Sequence, residues 1–362
     1  MKSLKYFFIS ILVISFATAC NEGIDPITPI APGTDASAPT LTIKYPLEGT
    51  LIRVKEDVTP INFQLEAEDD IEIKSISLKL DGTEITSFSD FKDYRRAIKE
   101  YLYNNLTNGS HTLAITATDL SGKSTTKSVT FEKIAPYKAK YPNETFYMPF
   151  DGDYMELLSI TNAAKVGNPG FSEGKVGKAY AGATDAYLTF PTAGLQSPEF
   201  SAVFWMKVNA TPDRAGILVM GPLDPANPTA MNNRNNGFRF FREGSATKQT
   251  FKLNVGNGTT DAWFDGGTTA SIDPTAGQWV HMAFTISKSK SECVVYFNGQ
   301  VVKQGSYTEI NWTGCDILSI MSGAPRFSGW NHKSDNSLMD ELRLFNKALT
   351  PTEIQTIMNA EK

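Results

Sequence analysis

Short runs in which apolar and polar residues alternate, each closed by turn residues, recur along most of this chain, and helix-period patterns are scarce. Between residues 40 and 134 the runs are LTIKYP, INFQLEAED, IKSISLKLDGTEI, HTLAITATDLSG and TTKSVTFEK. Period-two alternation turns every second side chain to one face, so each run predicts a strand with one buried side. Asp81-Gly82 and Ser121-Gly122 are the turns between them. YRRAIKEYL at 94–102 admits a helical turn as an alternative. Further on come FSAVFWMKV (200–208), WVHMAFTIS (279–287) and CVVYFNGQVVKQG (293–305). The last is two apolar halves around Asn298-Gly299, a pair that tolerates positive φ at both positions and so predicts a tight hairpin. LMDELRLFNKALTPTEI (338–354) predicts a strand running into a helix start, with Thr350 as N-cap, Pro351 at N1 and Glu353 at N3. The pattern is all-β.

A length of 362 residues exceeds what one core usually serves, so two domains are expected. The expected organisation is a leader at 1–19, a tether at 20–39, a first sandwich at 40–134, a linker at 135–145 (APYKAKYPNET) and a second sandwich at 146–362. Residues 21–39 contain four prolines and no lysine or arginine, which suits an extended tether. Apolar residues make up 41% of the chain and charged residues 20%, ordinary values for a globular protein. A net charge of −5 offers no basic footprint for nucleic acid.

The N-terminus changes the picture of where the protein resides. Lys2 and Lys5 precede an apolar stretch at 6–16 and the small residues Ala17-Thr18-Ala19, the pattern of an export signal. Cys20 follows directly, which resembles a bacterial lipobox, with Ala17 where leucine is usual. The leader resembles those of Bacteroidetes-type lipoproteins, and the resemblance implies lipid on Cys20 and an outer-membrane, surface-exposed location. The plain alternative is a secretory peptide cut after Ala19. Cys293 and Cys315 remain; an exported pair either bridges or sits as two separate buried thiols.

The segments 279–287, 293–305 and 338–354, together with MPFDGD, EGKVGKAYAG and DAYLTFP near residues 147–191, resemble the LamG-like jelly roll of the concanavalin A-like lectin and glucanase superfamily. GSHTLAITATDLSGKST (109–125) resembles the last strand pair of bacterial immunoglobulin-like modules. The resemblance implies an immunoglobulin-like sandwich followed by a jelly-roll sandwich, and a surface that binds sugar or protein, with only some members enzymes. It also implies a structural Ca²⁺, for which Asp151 and Asp340 match the family's acidic positions.

Catalytic chemistry finds little footing. Residues 68–72 (EDDIE) match the E-x-D-x-E spacing of laminarinase-type hydrolases, but they lie in the first domain at a strand end, where a solvated acidic turn is expected. His111 and His281 are expected to be structural. Aromatic residues are the better lead, because sugar rings stack on flat side chains. Trp205 and Trp279 lie in core strand patterns, whereas Trp263, Trp312 and Trp330 sit in polar, turn-rich surroundings and are candidate glycan contacts, as is His332. Arg234, Arg239 and Arg242 in MNNRNNGFRFFREGS (231–245) are candidates to grip hydroxyls or an acidic sugar, against a solvated hairpin as the bland alternative. The expected function is non-catalytic recognition of a glycan or polysaccharide at the cell surface; a glycoside hydrolase or lyase on the same fold, or an adhesion module, are the alternatives.

Overall fold

The structure, a computed structural model, describes residues 33–361. The leader, Cys20 and the start of the tether lie outside the described residues. Strands dominate; the one α-helix among the described residues is Pro351–Ala360. The chain divides into two compact units, one comprising residues 33–52 and 58–133, the other 53–57 and 134–361.

The first unit is a sandwich of two antiparallel sheets. One has the order Thr40–Tyr45, Thr59–Glu68, Arg96–Leu106; the other Leu51–Arg53, Ser124–Ile134, Gly109–Asp119, Ile73–Leu80, Thr83–Phe88. Inward residues Phe63, Leu65, Ile76, Leu78, Leu113, Ile115 and Phe131 fill the space between them. Residues 96–102 are strand and not helix, because Ala97, Lys99 and Tyr101 turn inward while Ile98, Glu100 and Leu102 turn out. The acidic run at 68–72 is a turn: Asp69 Oδ2 accepts the N–H groups of Ile71 and Glu72 at 2.9 and 2.6 Å. His111 bridges Asp81 (2.7 Å) and the Thr107 carbonyl (2.9 Å), a structural role.

The second unit packs two larger sheets face to face. The first runs Ala164–Val166, Tyr187–Pro191, Ile317–Ile320, Arg214–Met220, Asn236–Ser245, Lys248–Asn257, Asp261–Asp265. The second runs Gly170–Glu173, Lys178–Ala181, Leu338–Phe345, Glu199–Lys207, Trp279–Ser287, Glu292–Phe297, Gln300–Ser306. Phenylalanines interlock between them: the Phe240 ring lies 6.0, 5.2 and 5.9 Å from those of Phe204, Phe284 and Phe251. Burying each such ring stabilises by roughly 1.5–3 kcal/mol. Asn298 and Gly299 take φ of 46° and 73°, the left-handed pair a two-residue hairpin needs. The helix closes with the expected capping box between Thr350 and Glu353 and lays Ile354 and Ile357 on the outer face of the second sheet, against Val203, Ala283 and Tyr296.

Two arginines expected at a binding surface are interior instead. Arg242 is fully buried in a two-pronged pair with Asp335, Nε to Oδ2 at 2.6 Å and Nη2 to Oδ1 at 3.0 Å. Its remaining donor reaches the Pro212 carbonyl (2.8 Å) and Gln249 Oε1 (2.5 Å). Arg239, also fully buried, donates to the carbonyls of Asn236 (2.7 Å) and Asn233, and burial lowers its pKa to about 10. Both anchor the chain from within, since a guanidinium with no exposed surface does not meet a ligand from solvent. The segment 231–245 is correspondingly no solvated hairpin: residues 231–235 are irregular, and Asn236–Ser245 is a sheet strand buried from Gly237 to Arg242.

Trp205 is buried as expected and donates its N–H to Glu361, whereas Trp279 sits half-buried at a strand start. His281, opposite Trp205 and fully buried, packs edge-on against it at 5.1 Å, and neither ring nitrogen has a partner among the described residues. Cys293 and Cys315 are separate buried thiols, each pushed up by burial.

Two expectations follow. Asp335→Asn leaves a buried, unpaired guanidinium, so urea unfolding should show a loss of about 3–5 kcal/mol; a loss under 1 kcal/mol would count against the pair as an anchor. Burial holds His281 down at about 3, against an ordinary 6.5. Between those values the unfolded imidazole binds a proton that the folded one refuses, so acidification drains stability by about 1.4 kcal/mol per pH unit. Unfolding curves of His281→Leu at pH 7 and pH 4 should therefore differ less than those of the parent chain.

Candidate functional site

Alternation along three neighbouring strands places Phe241 and Glu243, Lys252, and Trp263 and Asp265 together on the outer face of the first large sheet. Lys252 stands opposite both Phe241 and Asp265 in register. Above this row lies the segment 322–337, carrying Phe327, Trp330 and His332. Its course is fixed at one end by the Arg242–Asp335 pair and inside by Gly323, whose N–H meets the His332 carbonyl at 3.0 Å. A Cβ at Gly323 would lie 2.1 Å from the carbonyls of His332 and Phe327, so only glycine permits this close approach.

Together these groups line a hollow of about 270 Å³, bounded by Arg234, Phe241, Glu243, Lys252, Trp263, Phe327, Trp330 and His332. Its base is aromatic. Phe241 touches Phe327 (5.3 Å), the edge of Trp263 (5.8 Å) and His332 (4.7 Å). Its rim is indole, with Trp263 45% and Trp330 56% exposed. Arg234 lies over the Trp263 ring at 5.3 Å, with its Nε 3.3 Å from Asp261.

Charge in the hollow is balanced by internal pairing. Lys252 Nζ sits 3.0 Å from Glu243 and 3.1 Å from Asp265, and His332 Nε2 meets the other Glu243 oxygen at 2.8 Å. Burial works against the Glu243 charge, but Lys252 and His332 outweigh it and hold the carboxyl below its usual range. Asp265 is likewise lowered, burial being overcome by the Gly267 N–H and Lys252. His332 is pushed down, chiefly by its own burial. Glycoside hydrolysis by a carboxyl pair needs one acid that keeps its proton near neutrality. Both carboxyls here are shifted the other way.

Of the candidates from the sequence, the fold thus brings Trp263, Trp330, His332 and Arg234 into one place. Trp312 is elsewhere: half-buried, it donates its N–H to the Ser197 carbonyl at 3.0 Å and packs on Phe200 at 5.6 Å, beside a separate open groove with Gln196, Asn257 and Glu309. Its indole holds the 311–316 loop to the core. Phe241, Glu243, Lys252 and Phe327 were not singled out by sequence. Alternation in FRFFREG was the available signal, since it sends Phe241 and Glu243 to one face and Arg242 to the other.

Asp151 and Asp340 brace one turn. Asp340 Oδ2 accepts the N–H groups of Lys175 and Val176 at 2.7 and 2.9 Å, its Oδ1 that of Glu341, and Asp151 Oδ1 that of Lys178 at 2.8 Å. Burial pushes Asp340 up to about 7. Both Asp340 oxygens and one Asp151 oxygen thus already accept N–H groups, and no group of three or more His, Cys, Asp or Glu side chains stands together as a metal site among the described residues.

Residues 182–355 match the family described as concanavalin A-like lectin/glucanases superfamily, and residues 39–115 match the bacterial Ig domain. Curated proteins give no match. Among similar solved structures is domain 4 of an extracellular arabinanase from Geobacillus stearothermophilus, in complex with arabinotriose, with 21% identity over 59% of this chain and 98% of that one, TM-score 0.45. Another is the binding domain of Paraclostridial Mosquitocidal Protein 1, with 14% identity, 60% and 52% coverage and TM-score 0.44. A third is the binding domain of a botulinum neurotoxin in complex with SialylT, with 13% identity, 61% and 52% coverage and TM-score 0.42. The chain spans about half the length of the two toxin domains. The protein is almost entirely β, an immunoglobulin-like domain followed by a concanavalin A-like, LamG-type domain.

Proposed function

We propose that the second domain binds carbohydrate without turning it over, in the hollow between Trp263 and Trp330. The observation that carries this reading is the pair of exposed indoles rimming one aromatic-based hollow, with hydrogen-bonding groups at Glu243, Lys252 and Arg234. Indole faces give sugar rings an apolar platform, and the polar groups offer both donors and acceptors to hydroxyls. Because Lys252 and Arg234 each have a carboxylate partner, the hollow suits a neutral sugar better than an acidic one.

A glycan array on residues 21–362, run beside a reducing-end release assay, tests the reading. Binding without release is expected. Release of sugar from any polysaccharide would replace it with a hydrolase, and silence in both assays with an adhesion module. For a glycan that binds, Trp263→Ala and Trp330→Ala should each lose roughly 1–3 kcal/mol of affinity with little change in stability. Trp312→Ala should do the reverse, melting lower while binding normally. Equal affinity in the first two variants would move the site elsewhere.

The second part of the proposal is attachment. Lipid on Cys20, with the proline-containing residues 21–39 as tether, would hold the protein on the outer membrane and present the hollow outward. In cell fractionation, Cys20→Ala is expected to leave the membrane fraction. Unchanged membrane association of that variant would refute lipid anchoring.

A further inference from the structure

The strand Arg96–Leu106 ends the three-stranded sheet of the first unit: Thr59–Glu68 pairs along one side, and no described strand pairs along the other. Natural proteins usually blunt so long a terminal strand with a bulge, a proline or a charge that would be buried on pairing; the bulge of this strand falls at its end, between Tyr103 and Leu106, and residues 96–103 keep a regular register with Thr59–Glu68. Here the outward positions read Arg96, Ile98, Glu100, Leu102, with Ile98 58% and Leu102 56% exposed. Tyr94, just before the strand, is 55% exposed. The inward neighbours are occupied within their own unit, Lys99 Nζ on the Asp90 carbonyl and Tyr101 Oη on that of Ile85, each at 3.0 Å.

Around Ile98 these outward positions are complementary to their own reverse. An antiparallel second copy with Ile98 facing Ile98 sets Arg96 against Glu100 twice, and brings Tyr94 beside Leu102 twice. The other same-face registers fail. Centring on Glu100 opposes two carboxylates, and centring on Lys99 or Tyr101 pairs no opposite charges. Glu100 is also free to take a cation: among the described residues it accepts from the neutral Asn62 amide at 2.8 Å and has no salt bridge. Arg96 lies against Glu66 and Glu68 but remains half-exposed, with guanidinium donors to spare.

We propose that two copies of this protein pair edge to edge through Arg96–Leu106, antiparallel about a two-fold axis at Ile98. Main-chain hydrogen bonds extend the sheet across the axis, Ile98 packs on its twin, and the Arg96–Glu100 pairs fix the register. A single strand pair buries less than the about 1,200 Å² of a standard interface, so the dimer is weak and favoured where copies are crowded.

Sedimentation velocity on residues 21–362 over a concentration series tests this, with a dissociation constant on the order of 100 µM expected for so small an interface. Ile98→Lys sets two ammonium groups face to face on the axis and should weaken dimerisation at least about tenfold. Its exposed position leaves folding intact, which circular dichroism checks. Ile98→Cys should form a covalent dimer on mild oxidation, whereas Leu102→Cys, placed opposite Tyr94 and away from its own copy, should not; Cys293 and Cys315 are buried and stay silent. A chain that stays monomeric up to about 1 mM, a dimer indifferent to Ile98→Lys, or faster cross-linking at Leu102 would overturn the proposal.

Discussion

The candidate site depends on one buried ion pair. Arg242 leaves its strand on the core side, the opposite side from Phe241 and Glu243, and meets Asp335 where neither group touches water. That pair holds the segment carrying Phe327, Trp330 and His332 over the sheet. A guanidinium and a carboxylate removed from water must find each other, because either alone would cost several kcal/mol. The two-pronged pair fixes one end of the segment, and backbone hydrogen bonds hold the rest, among them Phe327 N–H to the Gly323 carbonyl, Asn331 N–H to that of Ser328 and Asp335 N–H to that of Met321.

The two large sheets meet the same problem on their outer faces and solve it differently. Each has apolar residues pointing away from the shared core. On the second sheet the C-terminal helix covers them, and Arg343 ties strand, strand and helix end together through Glu144, Glu341 and Glu361 at 2.5–2.8 Å. On the first sheet Val219 and Phe241 are covered by Phe327 from an irregular segment. A helix seals its face, whereas a loop leaves space beside it. The aromatic hollow therefore lies on the first sheet.

The charges of the hollow are set by their neighbours. Lysine and histidine are placed so that Glu243 and Asp265 keep their charge, which steadies their geometry for hydrogen bonding and deprives them of a proton to donate. Of the E-x-D-x-E acids in the first unit, Glu68 lies 3.1 Å from Arg96 and Asp70 accepts the Ala36 N–H at 3.1 Å, while the intervening Asp69 caps the turn.

Sequence by itself determined the elements. Alternation located the strands, Asn298-Gly299 a hairpin, and Thr350, Pro351 and Glu353 the helix start, because these signals act between residues a few positions apart. It also separated exposed Trp263 and Trp330 from buried Trp205, since indoles in polar, turn-rich stretches seldom reach a core. Tertiary structure alone decided which of the remaining candidates meet. Arg239 and Arg242 looked like ligand grips because the same residue type serves a carboxylate inside the protein as well as outside it, and the partner of Arg242 is 93 positions away. Trp312 looked like Trp330 until its N–H found the Ser197 carbonyl, 115 positions distant. Local alternation puts Phe241 and Glu243 on one face of their strand but does not say what lies beside them, and Lys252 carries no local mark. Strand pairing set them beside Trp263, and pairing between distant segments is settled by the packing of the whole sandwich.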